Sequence, residues 1–390
     1  MKNQTIKKLF SGAILSLKST DLILFFMAVG ASSLSLILIA SLYKIGSIAS
    51  MRPVLIQMIT SGLGIVIALF ISNVDYHKIA KMWKFIAAVA CSFSLLLFFP
   101  MLGSIRGGNN FSGAETGSDN LNWINLGFTN LQPSEFLKIA FIITFAFHCS
   151  MACSQINKPK TFIKLIAHAM APVLIIFLQK DYGTMIVFVL IAGFMFLSAG
   201  INWKIISATI GCGLIVLLLF VSNLLPDFRL KRLEVLTNLE KFKDGAGWQQ
   251  YRGQIALASG KIFGKGFLSD DMITDVPELY NDMIFAHVGQ TLGMIGCIAV
   301  LVWLSFLCLR ILKHGKNSPD NLGFLICVGC FSLIFVQSII NIGMVLVIAP
   351  VIGVTLPFIS AGGSSNLSSY ILLGIILSVQ KHSFKPNLFE

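Results

Sequence analysis

Apolar stretches of about twenty residues recur along the whole chain, each closed by a short polar or Gly/Pro-rich break. That is the length a helix needs to cross a bilayer. The pattern predicts ten spans, over residues 21–44, 52–74, 82–102, 132–154, 161–178, 183–200, 203–223, 283–312, 322–346 and 364–381. None alternates residue by residue as a membrane barrel strand does. The expected fold is therefore an all-α integral membrane protein, a ten-helix polytopic bundle forming one domain over 1–390. Two polar segments interrupt the rhythm, 103–131 and the longer 224–282 between helices 7 and 8. The second holds nine of the seventeen acidic residues, with Trp248, Tyr251 and Phe267 among them. It reads as an ordered, partly membrane-hugging loop.

Composition agrees: 56% of the residues are hydrophobic and 12% charged, against about 25% charged in soluble domains. Short cytoplasmic loops are enriched in Lys and Arg. With the N-terminus inside, the inner segments carry sixteen such residues and the short outer ones four: Lys44, Arg52, Arg106 and Lys180. Both termini are then cytoplasmic and the net charge of +12 reflects topology. No basic soluble domain exists to bind nucleic acid. The first 18 residues are basic, but Asp21 and the lack of a small-residue cleavage site make the next stretch a first helix, not a signal peptide. The cysteines all fall within predicted spans. Even the Cys327–Cys330 pair reads as small packing residues.

Chemistry is concentrated in a few polar positions. An apolar helix carrying Gln337 and Asn341 runs into Pro350, Gly353, Pro357 and the turn Gly362-Gly363-Ser364-Ser365. Irregular backbone at membrane depth is tolerated only when buried in protein or lining a polar cavity. Pro133-Ser134-Glu135 and Lys138 place two charges three residues apart on one helix face. They are either a structural ion pair or a substrate contact, since charges inside a span face a cavity or a partner. Asp282 stands where a Pro277-bounded loop enters the eighth span. It suits a helix N-cap and equally a general base, whose ordinary pKa of about 3.9 rises on shielding.

These segments together resemble the SEDS family (shape, elongation, division, sporulation), which includes RodA and FtsW. Pro277-Glu278-Leu279-Tyr280-Asn281-Asp282-Met283-Ile284-Phe285-Ala286 is similar to the family's Pro-Glu-x-His-Thr-Asp-Phe-Ile-Phe-Ala motif. Tyr280-Asn281 replace its His-Thr, and Gly289-Gln290-Thr291-Leu292-Gly293 lacks the two carboxylates of Gly-Glu-Glu-x-Gly. Gln179-Lys180-Asp181-Tyr182-Gly183-Thr184 matches the family's Gln-Pro-Asp-x-Gly-Thr turn, with Asp181 a shaping or substrate-orienting residue. Arg229, Arg232 and the Lys265 of Gly264-Lys265-Gly266 match further positions. They are either solvated loop charges or cations for a phosphate. Trp123 matches the family's Arg-Trp-Ile segment or is an ordinary interfacial anchor.

The resemblance implies a peptidoglycan glycosyltransferase of the bacterial cytoplasmic (inner) membrane. It would polymerise lipid II into glycan strands by inverting, β-1,4-forming transfer. Asp282 would be the catalytic base. Arg229, Arg232, Lys265, Trp123, Asp181, Glu135, Lys138, Gln337, Asn341, Ser364 and Ser365 would be substrate contacts. A class B penicillin-binding protein would be the partner, and membrane lipids the surroundings. No cofactor is required, and divalent-ion dependence is left open. The alternative is a lipid II flippase of the same family, which has no need of Asp282. Gly264-Lys265-Gly266 leans toward the elongation branch, and Thr355-Leu356-Pro357-Phe358 toward division. A broken-helix transporter predicts inverted repeats, and none is evident.

Overall fold

The computed structural model describes residues 20–98, 122–125, 129–204, 207 and 227–383. The helices α1 (Leu22–Lys44), α2 (Arg52–Ser72), α3 (Tyr76–Lys81) and α4 (Trp83–Leu95) come first. A two-residue strand pair follows, β1 (Ile124–Asn125) antiparallel to β2 (Asn130–Leu131). Next are α5 (Pro133–Ala152), α6 (Pro159–Leu178) and α7 (Tyr182–Ser198). The long polar loop contains α8 (Asp227–Glu234), α9 (Leu239–Phe242) and α10 (Trp248–Ser259). The last three helices are α11 (Ile284–Lys316), α12 (Asn321–Val345) and α13 (Gly363–His382). Among the described residues, α1, α2, α5, α6, α11 and α12 are long and apolar enough to cross a membrane, and α4 and α7 are shorter apolar helices. The expected span 203–223 lies almost wholly outside the described residues.

Local chemistry sets the helix starts. Asp21, Asp75, Asp181 and Asp320 cap α1, α3, α7 and α12, each accepting backbone N–H groups that the first turn leaves unpaired. Prolines open α2, α5 and α6, where the missing N–H costs nothing. The core forms around α12, which packs on α5, α7 and α11 and is the most enclosed of the candidate spans. Small residues let α2 and α13 approach closely. Gly64 lies under the Tyr370 ring, and Gly374 lies against the Ala68 backbone.

α11 is not one continuous helix. Gly293 leaves helical geometry at φ 69°, ψ −165°, and the segment after α10 fills the break. Lys265 and Gly266 donate backbone N–H bonds to the Gln290 and Thr291 carbonyls at 2.9 and 3.0 Å. Met294 and Ile295 donate in turn to the Lys261 and Ile262 carbonyls at 2.9 and 3.3 Å. A Cβ on Gly264 would fall 2.2 Å from the Thr291 oxygen, and one on Gly260 1.9 Å from the Gly289 oxygen. Only glycine fits there.

The charged pair on α5 is made as the spacing predicts. Lys138 Nζ lies 2.6 Å from Glu135 Oε1, with both side chains buried. Ser368 of α13 donates to the other Glu135 oxygen at 2.9 Å. Removing one partner of such a pair strands a charge, at a cost of about 3–5 kcal/mol. Lys138→Met is therefore expected to destabilise the purified protein far more than Glu135→Gln and Lys138→Met combined. A double-mutant cycle by thermal unfolding in detergent measures the coupling, and strictly additive effects would refute it.

Candidate active site

Asp282 lies in a tight turn just ahead of α11, and the backbone on both sides of it is tied down. The Glu278 carbonyl accepts from Asn281 N and Met283 N at 3.0 and 3.1 Å. Ala361 N donates to the Tyr280 carbonyl at 2.8 Å, and Ser360 Oγ to the Asn281 carbonyl at 2.7 Å. Asn341 of α12 uses one amide group for two bonds, to the Asp282 carbonyl at 2.9 Å and the Val354 carbonyl at 2.8 Å. Two separate segments thus hold one short turn, in addition to its own bonds. Left-handed backbone at Glu278 (φ 54°), Phe358 (φ 64°), Lys180 (φ 62°) and Gly353 (φ 72°) clusters in the loops around it, as strain does at functional sites.

The carboxylate itself is not part of this scaffolding. The N-cap of α11 is Met283, with no side-chain cap bond, so the capping role that Asp282 suits by residue type is not one it performs. A Cβ added on Gly353 would stand 3.5 Å from Asp282 Oδ2. Protein packs densely around the group while part of its surface stays open. Burial pushes its pKa up, the negative Glu278 and Asp181 push the same way, and Arg232 partly opposes them. The result is about 7, a value matched to proton abstraction near neutral pH.

From Asp282 a polar track leads inward along the loop after α12. The carboxylate borders the space a Cβ on Gly353 would fill, and Val354 is held by Asn341. Thr355 Oγ1 lies 2.7 Å from Ser365 Oγ. The Ser365 carbonyl accepts from Ser368 Oγ at 2.9 Å, and Ser368 reaches Glu135 and so Lys138. Ser364 Oγ accepts from Gln132 N at 3.0 Å, joining α13 to the start of α5. Gln337 is buried one turn before Asn341 on α12. Asp282, Asn341, Ser365, Glu135 and Lys138 are thus members of one connected region.

The other candidate residues are placed differently. Asp181 is only 7% exposed and is held by Thr184 N at 3.1 Å and Thr184 Oγ1 at 2.9 Å. Asn122 and Gln132 also donate to it, at 3.3 and 3.4 Å. It shapes the site and raises the Asp282 pKa, and its own oxygens are occupied. Arg232 on α8 donates from Nη1 to the Val351 carbonyl at 2.9 Å, close to Gly353 in sequence. Trp123 is half-buried beside β1. The side chain of Arg229 lies outside the described residues. Lys265 stands apart from Asp282: its backbone pairs with Gln290, and its ammonium donates to the Asp271 carbonyl at 2.6 Å. Gly264 lies against the Thr291 backbone at the break in α11, whereas a Cβ on Gly266 would meet nothing within 4 Å. Ser360 and Ser368 were not separable by sequence from the many other small residues in apolar surroundings.

The family model described as "Cell cycle protein", covering FtsW, RodA and SpoVE, matches residues 13–385. Stage V sporulation protein E of Bacillus subtilis (strain 168) is 33% identical over 331 residues, covering 84% of this chain and 86% of that protein. Peptidoglycan glycosyltransferase MrdB of Escherichia coli (strain K12) is 30% identical over 262 residues, covering 67% of this chain and 70% of its own length. A chain from the structure described as "Structural coordination of polymerization and crosslinking by a peptidoglycan synthase complex" superposes with a TM-score of 0.75 at 21% identity, covering 94% and 99%. Thermus thermophilus rod shape determining protein RodA gives a TM-score of 0.66 at 19% identity, covering 94% and 98%. The two structures speak to the shared fold, a polytopic helical membrane bundle. The family match extends over nearly the whole sequence, and this chain belongs to the FtsW/RodA/SpoVE family of SEDS membrane proteins.

Proposed function

We propose that the protein is a peptidoglycan glycosyltransferase that polymerises lipid II at the outer face of the bacterial cytoplasmic membrane. The observation that carries this reading is the Asp282 carboxylate. It is rigidly mounted, makes no hydrogen bond among the described residues, and is poised near neutral pH. The names of relatives such as MrdB support the same reaction class. In the proposed step Asp282 accepts the proton of the acceptor's sugar hydroxyl. The freed oxygen attacks the donor's anomeric carbon, and the bond to the lipid pyrophosphate breaks with inversion. Arg232 is the described cation placed to offset the leaving charge. Thr355, Ser365 and the Glu135–Lys138 pair supply polar contacts for the headgroup. A class B penicillin-binding protein, which would crosslink the strands, is the proposed partner. No cofactor enters the step.

The Lys/Arg asymmetry supports cytoplasmic termini and an external loop 224–282. A cysteine at Lys243, in a chain cleared of native cysteines, is expected to react with impermeant reagent only from outside. Reaction only from the cytoplasmic side would place Asp282 on the wrong face.

Asp282→Asn keeps the volume but cannot take a proton. A general base contributes about 100- to 10,000-fold, so this variant should fold and insert normally yet retain at most roughly 1% of polymerisation. Near-normal polymer on a gel of labelled lipid II would remove the assigned base. Lipid II translocation without polymerisation by the parent protein would favour the flippase.

The base works only when deprotonated, so kcat/KM should fall as pH drops through about 7. Glu278 raises the Asp282 pKa by like charge. Glu278→Gln removes that push and is expected to move the acid limb to lower pH, with the alkaline side unchanged. A limb that stays fixed, or moves up, contradicts the assignment.

A further inference from the structure

The loop between α10 and the turn bearing Asp282 presents apolar side chains outward. Phe263 is 80% exposed, the most exposed large hydrophobic residue among those described, and Ile262 and Leu268 beside it are also exposed. Their height follows from helix length. α11 has 33 residues, more than the roughly 20 that cross the bilayer's hydrocarbon core. Counting back about twenty residues from Leu312, the last apolar residue before Lys313, reaches the break at Gly293. The α11 residues before the break, Ile284–Thr291, are buried in protein, while Met294, Ile295 and Ile298 just after it are exposed.

The backbone bonds at Gln290, Thr291, Met294 and Ile295 pin residues 261–266 at that level. α12 is largely buried to its end at Val345, and exposed Leu346 and Ile348 lie in the loop beyond it. Gln250 of α10 ties these elements together by donating to the Met344 and Ala349 carbonyls, both at 2.9 Å. Lys261 is exposed at the edge of the apolar group, a position from which a lysine reaches lipid phosphates.

We propose that Lys261–Leu268 is an interfacial wedge. Ile262, Phe263 and Leu268 would be seated among the upper acyl chains of the bilayer, Lys261 would sit at the phosphates, and the wedge would fix the height of the Asp282 turn above the hydrocarbon. The leaflet follows from the orientation proposed above, whereas the depth does not depend on it. The occupant is phospholipid because the patch is pinned to the level at which α11 changes from protein-buried to exposed apolar residues.

The test uses the full-length chain in vesicles of phosphatidylethanolamine and phosphatidylglycerol, with Phe263→Trp, Ile262→Trp and the loop control Lys243→Trp. All three positions are at the surface, and emission is read as the difference from the parent. For Phe263→Trp and Ile262→Trp, phospholipids brominated high on the acyl chain are expected to quench the added emission at least about twofold more than aqueous iodide does. Lys243→Trp should show the reverse. Quenching of both wedge tryptophans by iodide alone would overturn the proposal. So would protection from both quenchers, which would mean that protein covers the patch.

Discussion

Backbone that leaves helical geometry near a bilayer must find its hydrogen bonds in protein, and the end of the bundle that carries Asp282 is arranged around that requirement. It is met twice. At Gly293 the segment 261–266 takes over the carbonyls and N–H groups that α11 gives up. After α12, Asn341 and Gln250 hold the carbonyls of Val354, Met344 and Ala349, and Gln57 reaches Gly362 N at 3.4 Å. The glycines at 260, 264 and 293 are consequences of how closely two backbones must approach to exchange bonds.

The same bonds give the active turn its rigidity. Asp282 has no capping duty because Met283 starts the helix, and the carbonyls around it are held by Asn341, Ser360 and Ala361. A base positioned in this way loses little on approach to the transition state. Its charge is tuned by neighbours with other tasks: Asp181 caps α7, Glu278 accepts from Asn281 Nδ2 at 2.6 Å, and Arg232 holds Val351. Structure and electrostatics thus share the same side chains.

The apolar helices α1, α2, α5, α6, α11 and α12 were legible because a helix is the form in which an uninterrupted apolar run of bilayer length satisfies its own backbone. The Glu135–Lys138 pair was legible because three residues is a helical neighbour distance. Asp282 could be singled out from its resemblance to the family motif, but its local context favoured a cap, a role the geometry gives to Met283. At Lys265 the local reading is incomplete. A Gly-Lys-Gly run fits approach to a phosphate, yet its first glycine answers to Thr291 on another helix. Thr355 and Ser368 matter through partners distant in sequence, Ser365 and Glu135, and no periodicity marks them.

The proposed chemistry rests on Asp282 being a carboxyl group held near neutrality by its surroundings. Isotope-edited infrared difference spectroscopy of the protein in lipid, with Asp282→Asn as the blank, reads that group directly. A protonated carboxyl stretch, absent from the blank, is expected to disappear as pH rises through about 7. A band that titrates at the ordinary aspartate value of about 3.9 would contradict it.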